Sequence, residues 1–158
     1  MEPKATVIGP NDGKSIDLTS IGVRFMLDGD RTGGGFSLVE HPMPPSALAA
    51  PMHRHKNEDE YSYVTKGRVG AKLGDEVVFG EVGDLILKPR GQWHTFWNAG
   101  DEPATLLEII SPAGFEQYFA ELAPVLAAGG EPDLAELAAI RTRYGLAMDL
   151  TSIARLAE

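Results

Sequence analysis

Between residues 22 and 112 the chain is cut into short apolar segments by glycine, proline, aspartate and asparagine, and this punctuation limits the fold more than any other feature. The strand candidates are 22–28 (GVRFMLD), 35–40 (GFSLVE), 60–65 (EYSYVT), 68–73 (RVGAKL), 76–80 (EVVFG), 84–88 (DLILK), 93–98 (WHTFWN) and 104–110 (ATLLEII). Turn formers recur between them at regular spacing, and no helical pattern intervenes. An antiparallel sandwich or barrel is therefore predicted over roughly residues 15–112, and βαβ units are not. The 18 glycines and 11 prolines are spread between the segments rather than clustered, as a series of tight turns requires.

The pattern changes after Ser111-Pro112. Phe115, Tyr118, Phe119, Leu122 and Leu126 recur at helical spacing around Pro124, and Pro132-Asp133 opens a second helix carrying Leu134, Leu137 and Tyr144. A third short segment from Asp149 puts Leu150, Ile153 and Ala157 on one face. Residues 113–158 are thus predicted to form a helical extension packed on the β domain or on a second copy of the chain. A DNA-binding role for these helices is disfavoured, since residues 114–158 hold three Arg against seven Asp or Glu. The whole chain carries a formal charge of -9, which repels nucleic-acid phosphate and anionic membrane. The expected partner is a small molecule, with no nucleic acid and no membrane. The first residues lack the pattern of a signal peptide and no apolar run exceeds four residues, so a cytoplasmic location is predicted. There is no cysteine, so any metal must rest on nitrogen and oxygen.

Two stretches carry chemistry. In HRHKNEDEYSYVTKG, residues 53–67, His53 and His55 stand two apart and share one face of a strand. Glu60 follows after an odd step of five, so a hairpin or bulge in Lys56-Asn57-Glu58-Asp59 is needed to return it to the same side. In GDLILKPRGQWHTFWN, residues 83–98, a Pro89-Gly91 turn precedes a strand on which His94, Phe96 and Asn98 share one face. Trp93 and Trp97 then face the other way, as Tyr61 and Tyr63 do relative to Glu60.

The first stretch reads H-x-H-x4-E-x6-G through His53, His55, Glu60 and Gly67. The second reads G-x5-P-x-G-x2-H-x3-N through Gly83, Pro89, Gly91, His94 and Asn98. Together they resemble the two signature motifs of the cupin superfamily, with no motif position departing from the pattern. The resemblance covers residues 22–112 and implies an all-β, jelly-roll β-barrel. It also implies one divalent transition metal (Fe, Mn, Ni, Cu or Zn) bound by His53, His55, Glu60 and His94. The spacing is that of small bacterial single-domain cupins, among which a homodimer is expected. SPAGFEQYFAEL and the segment ending RTRYGL resemble the tails of cupins grouped with quercetin 2,3-dioxygenases.

Three imidazoles and a carboxylate fill a tetrahedral zinc, whereas a six-coordinate ion keeps two positions for water, dioxygen or a bidentate substrate. The leading expectation is a quercetinase-like dioxygenase for an enol, diketone or aromatic substrate, with Glu60 as ligand and catalytic base. Phe96 would line the pocket and Met43 and Met52 would cover it from the 41–52 loop. A metal-dependent sugar isomerase or epimerase is the alternative, and a non-catalytic ligand-binding protein is a third. Bland assignments complete the reading. His41 is expected at the surface, Asn98 in a structural hydrogen-bonding role, Gly33-Gly34-Gly35 in a turn, and most of the basic residues around the motifs (Arg54, Lys56, Lys66, Arg68, Lys72, Lys88 and Arg90) near turns or facing solvent.

Overall fold

The computed structural model describes residues 4–156, so Ala157 lies outside the described residues. The strands are β1 (Ser15–Asp17), β2 (Gly22–Leu27), β3 (Ser37–Met43), β4 (Met52–His55), β5 (Asp59–Lys66), β6 (Val69–Leu73), β7 (Glu76–Gly80), β8 (Leu85–Lys88), β9 (His94–Asn98) and β10 (Ala104–Ser111). Helices α1 (Glu116–Ala127) and α2 (Leu134–Arg143), strand β11 (Leu146–Asp149) and helix α3 (Ser152–Leu156) follow. All strand pairs are antiparallel.

The strands form two sheets, β1-β2-β3-β10-β5-β8 and β11-β4-β9-β6-β7. The jelly-roll β-barrel of the sequence reading is corrected here, because neither sheet closes. The fold is a cupin-like double-stranded β-helix of two open sheets with a short C-terminal helical region. Alternation in a sequence reveals that one face of each strand is buried, but it is blind to whether edge strands find partners. The edges are kept short, three residues in β1 and four in β8 and β11, which limits the unpaired backbone they offer to other chains.

Each strand turns alternate residues into the space between the sheets, as the runs Val39, His41, Met43 on β3 and Leu106, Glu108, Ile110 on β10 illustrate. The apolar members fall into two clusters. One gathers Val23, Val39 and Ile110 with Phe115, Tyr118 and Phe119 of the C-terminal region. The other gathers Met43, Val64, Val69, Ile86, Phe96 and Leu106. Inward residues between these clusters are polar, which opens a charged layer across the core.

Glycine is required at two places that hold this frame. Gly67 joins β5 to β6 at φ +74°, and a Cβ there would lie 2.9 Å from Ala104. Gly70 lies under the Trp97 ring, where a Cβ would come within 2.4 Å. Helix α1 continues through Pro124. The N-cap of α2 is Asp133, whose Oδ1 accepts from the backbone N–H of Ala135 and Glu136. Strand β11 was not foreseen. It pairs with β4, setting Leu146 opposite His55 and Met148 opposite His53. Among the described residues, no helix is long and apolar enough to cross a membrane.

Candidate metal centre

His53 and His55 come from β4, and His94 comes from the neighbouring β9, where it sits opposite His53 in the register. Glu60 reaches them from β5 in the other sheet. The Lys56–Glu58 turn therefore makes neither the β4–β5 hairpin nor the bulge between which the sequence reading left the choice open. It crosses from one sheet to the other, and because the sheets face each other an odd step still brings Glu60 inward. The crossing is pinned on two sides. Lys56 N–H donates to Gly145 O at 3.0 Å, and Gly91 N–H donates to His55 O at 2.7 Å. Arg90 grips Asp59 through its backbone N–H, Nε and NH2 at 2.9, 3.2 and 2.8 Å, tying the first motif to the turn of the second.

One donor atom from each of His53, His55, Glu60 and His94 lies within 4.8 Å of all the others. Glu60 Oε2 is 3.2 Å from His94 Nε2 and 3.4 Å from His55 Nε2. Neither imidazole nitrogen has a hydrogen-bond partner, although both are buried. Two donors sharing one ion at about 2.1 Å stand about 3.0–3.4 Å apart, which is the spacing found. Orientation is fixed from behind. His53 Nδ1–H donates to Pro51 O at 2.8 Å and His94 Nδ1–H to Gln92 O at 3.1 Å, leaving each Nε2 lone pair directed inward. Behind His55 stands Glu58, its Oε2 3.6 Å from Nδ1. The set fits a divalent transition metal.

Electrostatics favour the neutral, ligating form at His53 and His94 but hold a proton on His55 in the metal-free cluster, which a metal would have to displace. Burial, and then the charges of neighbouring imidazoles, hold His53 well below its usual pKa. Burial also lowers His94. On His55 burial opposes the charge, but Glu60 and Glu58 outweigh it and push the ring up to about 9. Glu60 is held ionised, well below the usual carboxylate range, because His55 and Lys88 outweigh its burial.

Lys88 is an exception to the expectation that most basic residues around the motifs lie near turns or face solvent. Its Nζ is fully buried, 2.9 Å from Glu108 Oε2 and 3.2 Å from Glu60 Oε2, and lies 4.3 Å over the Phe96 ring. Ser62 Oγ–H also donates to Glu108 Oε2, at 2.8 Å. Burial raises Glu108 to about 7 against the pull of Lys88. His41, expected at the surface, is buried instead. It donates Nδ1–H to Gly22 O at 3.0 Å and packs against Phe96 and Phe119. Sequence reasoning missed all four of Glu58, Lys88, Glu108 and His41. The available signal was a lone Glu inside the apolar run ATLLEII and a Lys ending DLILK.

A cavity of about 250 Å3 opens beside the cluster. His53, His55 and Glu60 meet it on one side, with His41, Phe96 and Glu108 on the strands around them. Its remaining wall is largely apolar and comes in large part from the C-terminal region, through Phe115, Tyr118, Phe119, Leu122, Leu126, Leu137, Leu146 and Met148, with Leu18, Ile21, Ala49, Ala50 and Pro51 adding to it. Phe96 borders the cavity. Met43 points into the second apolar cluster, and Met52 lies at the far surface of β4, where Ser152 Oγ accepts from its backbone N–H. The cover expected from these methionines is supplied by α1 and α2. Asn98 is structural, donating to Met43 O, Pro44 O and Glu102 O and accepting from Gly100 N–H.

A family model described as a cupin domain matches residues 40–110. No curated protein matches the chain significantly. Among solved structures, KdgF from Halomonas sp. is similar at 16% identity and TM-score 0.63, over 72% of this chain and 99% of that one. The polyketide cyclase RemF from Streptomyces resistomycificus is similar at 22% identity and TM-score 0.60, over 68% and 80%. A sugar phosphate isomerase of the cupin superfamily from Silicibacter pomeroyi is 26% identical at TM-score 0.52, over 60% of each chain. These neighbours carry different activities on one fold, so they do not select a reaction. The matched domain, the two facing sheets and the His3Glu cluster between them point the same way: residues 40–110 are similar to a cupin domain, and the fold around them is cupin-like.

Proposed function

We propose that the protein is a metal-dependent dioxygenase acting on a small, largely apolar substrate with an enol, diketone or flavonol-like head. The observation that carries this reading is the apolar wall of the cavity, which meets the His3Glu cluster directly. A flat or aromatic body is favoured by Phe96, Phe115, Tyr118 and Phe119, whereas a sugar would leave its hydroxyls facing hydrocarbon. Among the described residues Arg141 is the only Lys or Arg that lines the cavity, which gives no clamp of several such side chains for a sugar phosphate.

His53, His55, Glu60 and His94 would hold the metal, which when bound supplies a Lewis acid for the substrate's oxygens and, if redox-active, a partner for dioxygen. Phe115 packs on His55 with ring centroids 4.3 Å apart and, with Phe119, keeps water from that side of the cluster. Glu60 serves first as a ligand in this scheme. Its Oε2 already meets His55, His94 and Lys88, and these contacts weaken it as a proton acceptor. The test is oxygen uptake by protein loaded with Fe, Mn, Ni, Cu or Zn in turn, against flavonols and small diketones. Uptake is expected with at least one redox-active ion, and its absence in every combination refutes the proposal.

A further inference from the structure

The polar groups that the six-stranded sheet brings to the cavity are Glu60, His41 and Glu108. In their unprotonated forms all three are acceptors. His41 spends its Nδ1–H on Gly22 O, and burial holds its pKa down at about 4, so the ring is neutral and Nε2 keeps a lone pair. Glu108 is 1% exposed, and both of its protein hydrogen bonds, from Ser62 and Lys88, end on Oε2. Oε1 has no partner although it is buried. An unpaired buried carboxylate oxygen is unfavourable, and Glu108 is one of the residues that line the cavity.

We infer that Glu108 is a specificity-determining acceptor: its Oε1 receives a hydrogen bond from an O–H of the ligand, so the site selects apolar molecules that carry a hydroxyl beside the oxygen presented to His53, His55 and Glu60. Enols, enediols and phenols with a neighbouring oxygen meet this requirement. The corresponding ketones, ethers and deoxy analogues leave Oε1 unpaired and are rejected, because a missing donor opposite a buried acceptor is penalised more heavily than a missing methylene. Lys88 and Ser62 hold the carboxylate in place, each through Oε2. The inference rests on the cavity being the substrate site and makes no use of the reaction performed there.

The test uses the metal-free full chain, which removes chelation by a metal as a source of preference. Two probes differing by one hydroxyl, 3-hydroxyflavone and flavone, are titrated and followed by fluorescence or calorimetry. The wild type is expected to favour the hydroxylated probe by about tenfold or more. Glu108→Leu combined with Lys88→Met removes both charges together and so avoids a lone buried ion. That protein should lower the preference below about threefold while flavone affinity stays within about twofold. A collapsed cavity would instead weaken both probes equally. Glu108→Gln, whose amide oxygen still accepts, should retain part of the preference. Equal affinities in the wild type, or a preference that the double variant retains, would overturn the inference. Oxygen uptake is read separately. A preference that depends on Glu108 without uptake sinks the dioxygenase proposal alone, and uptake with a preference indifferent to Glu108 sinks this inference alone.

Discussion

Replacing Lys88 by methionine keeps most of the side chain's apolar stem and removes the one cation set between two buried carboxylates. Nζ lies 2.9 Å from Glu108 Oε2 and 3.2 Å from Glu60 Oε2, and the side chain is 0% exposed. At an effective dielectric of about 20, each contact carries roughly 5–6 kcal/mol of attraction. Stripping water from the ammonium takes back several kcal/mol, and breaking such a pair costs about 3–5 kcal/mol in net stability. Protonation limits the loss. Burial already lifts Glu108 to about 7 while Lys88 pulls it down, so without Lys88 this carboxyl stays neutral at pH 7. The lower end of the range, about 3 kcal/mol, is therefore expected for Lys88→Met. Adding Glu108→Leu removes the second charge and should restore most of the deficit, leaving a cost of about 1 kcal/mol for imperfect packing. Urea denaturation of the metal-free chain at pH 7, arranged as a double-mutant cycle, reads both numbers. A loss under about 1 kcal/mol for Lys88→Met, or a double variant no more stable than the single, would refute the view that Lys88 neutralises this layer.

Two further outcomes follow from the same layer. Glu58→Gln removes the charge 3.6 Å behind His55 Nδ1 and should weaken divalent-metal affinity by about 10–100-fold with the fold intact; competition against a chelator measures this, and unchanged affinity would show that Glu58 does not support the ligand. His41 has a folded pKa of about 4 against 6.5 unfolded, so the unfolded chain takes up the proton first and stability falls as pH drops from about 6.5 towards 4. Up to about 3 kcal/mol is lost this way. The check is the difference in stability between wild type and His41→Gln across that range, since Glu108, raised by burial, contributes with the opposite slope in both proteins; a flat difference would mean that His41 does not titrate as described.

The strand segments between residues 22 and 112 were legible because each is bounded by turn formers. That His53 and His55 share one face was legible because His-x-His on a strand has one geometric consequence, whereas Glu60 and His94 joined the candidate set through the motif resemblance. What the sequence could not resolve was facing within segments that are apolar on both sides. In DLILK, Leu85 and Leu87 are 57% and 49% exposed while Ile86 and Lys88 are buried, the reverse of what a charged residue suggests. In ATLLEII, Leu106 and Ile110 carry Glu108 inward with them because they share its parity. His41 likewise follows Val39 and Met43. Strand parity decides these positions, and parity becomes visible only when the partner strands and their register are known. Closure of the sheets was beyond reach for a related reason, since it depends on which edges meet.

The tail shows how this hidden information bears on function. Leu146–Asp149 is a short segment between two helices, with nothing in its composition to mark it as a strand. It becomes one because β4 offers a free edge, and that pairing places Leu146 and Met148 alongside His55 and His53. The same C-terminal region supplies Phe115, Phe119 and Leu122 to the cavity wall. The strand holding two candidate ligands and the wall that would contact substrate therefore share one support. A change in the tail acts on both at once, through the β11–β4 pairing on one side and the packing of α1 over the cluster on the other. Variation in a region carrying no cupin motif can thereby alter what the site accepts while His53, His55, Glu60 and His94 stay the same.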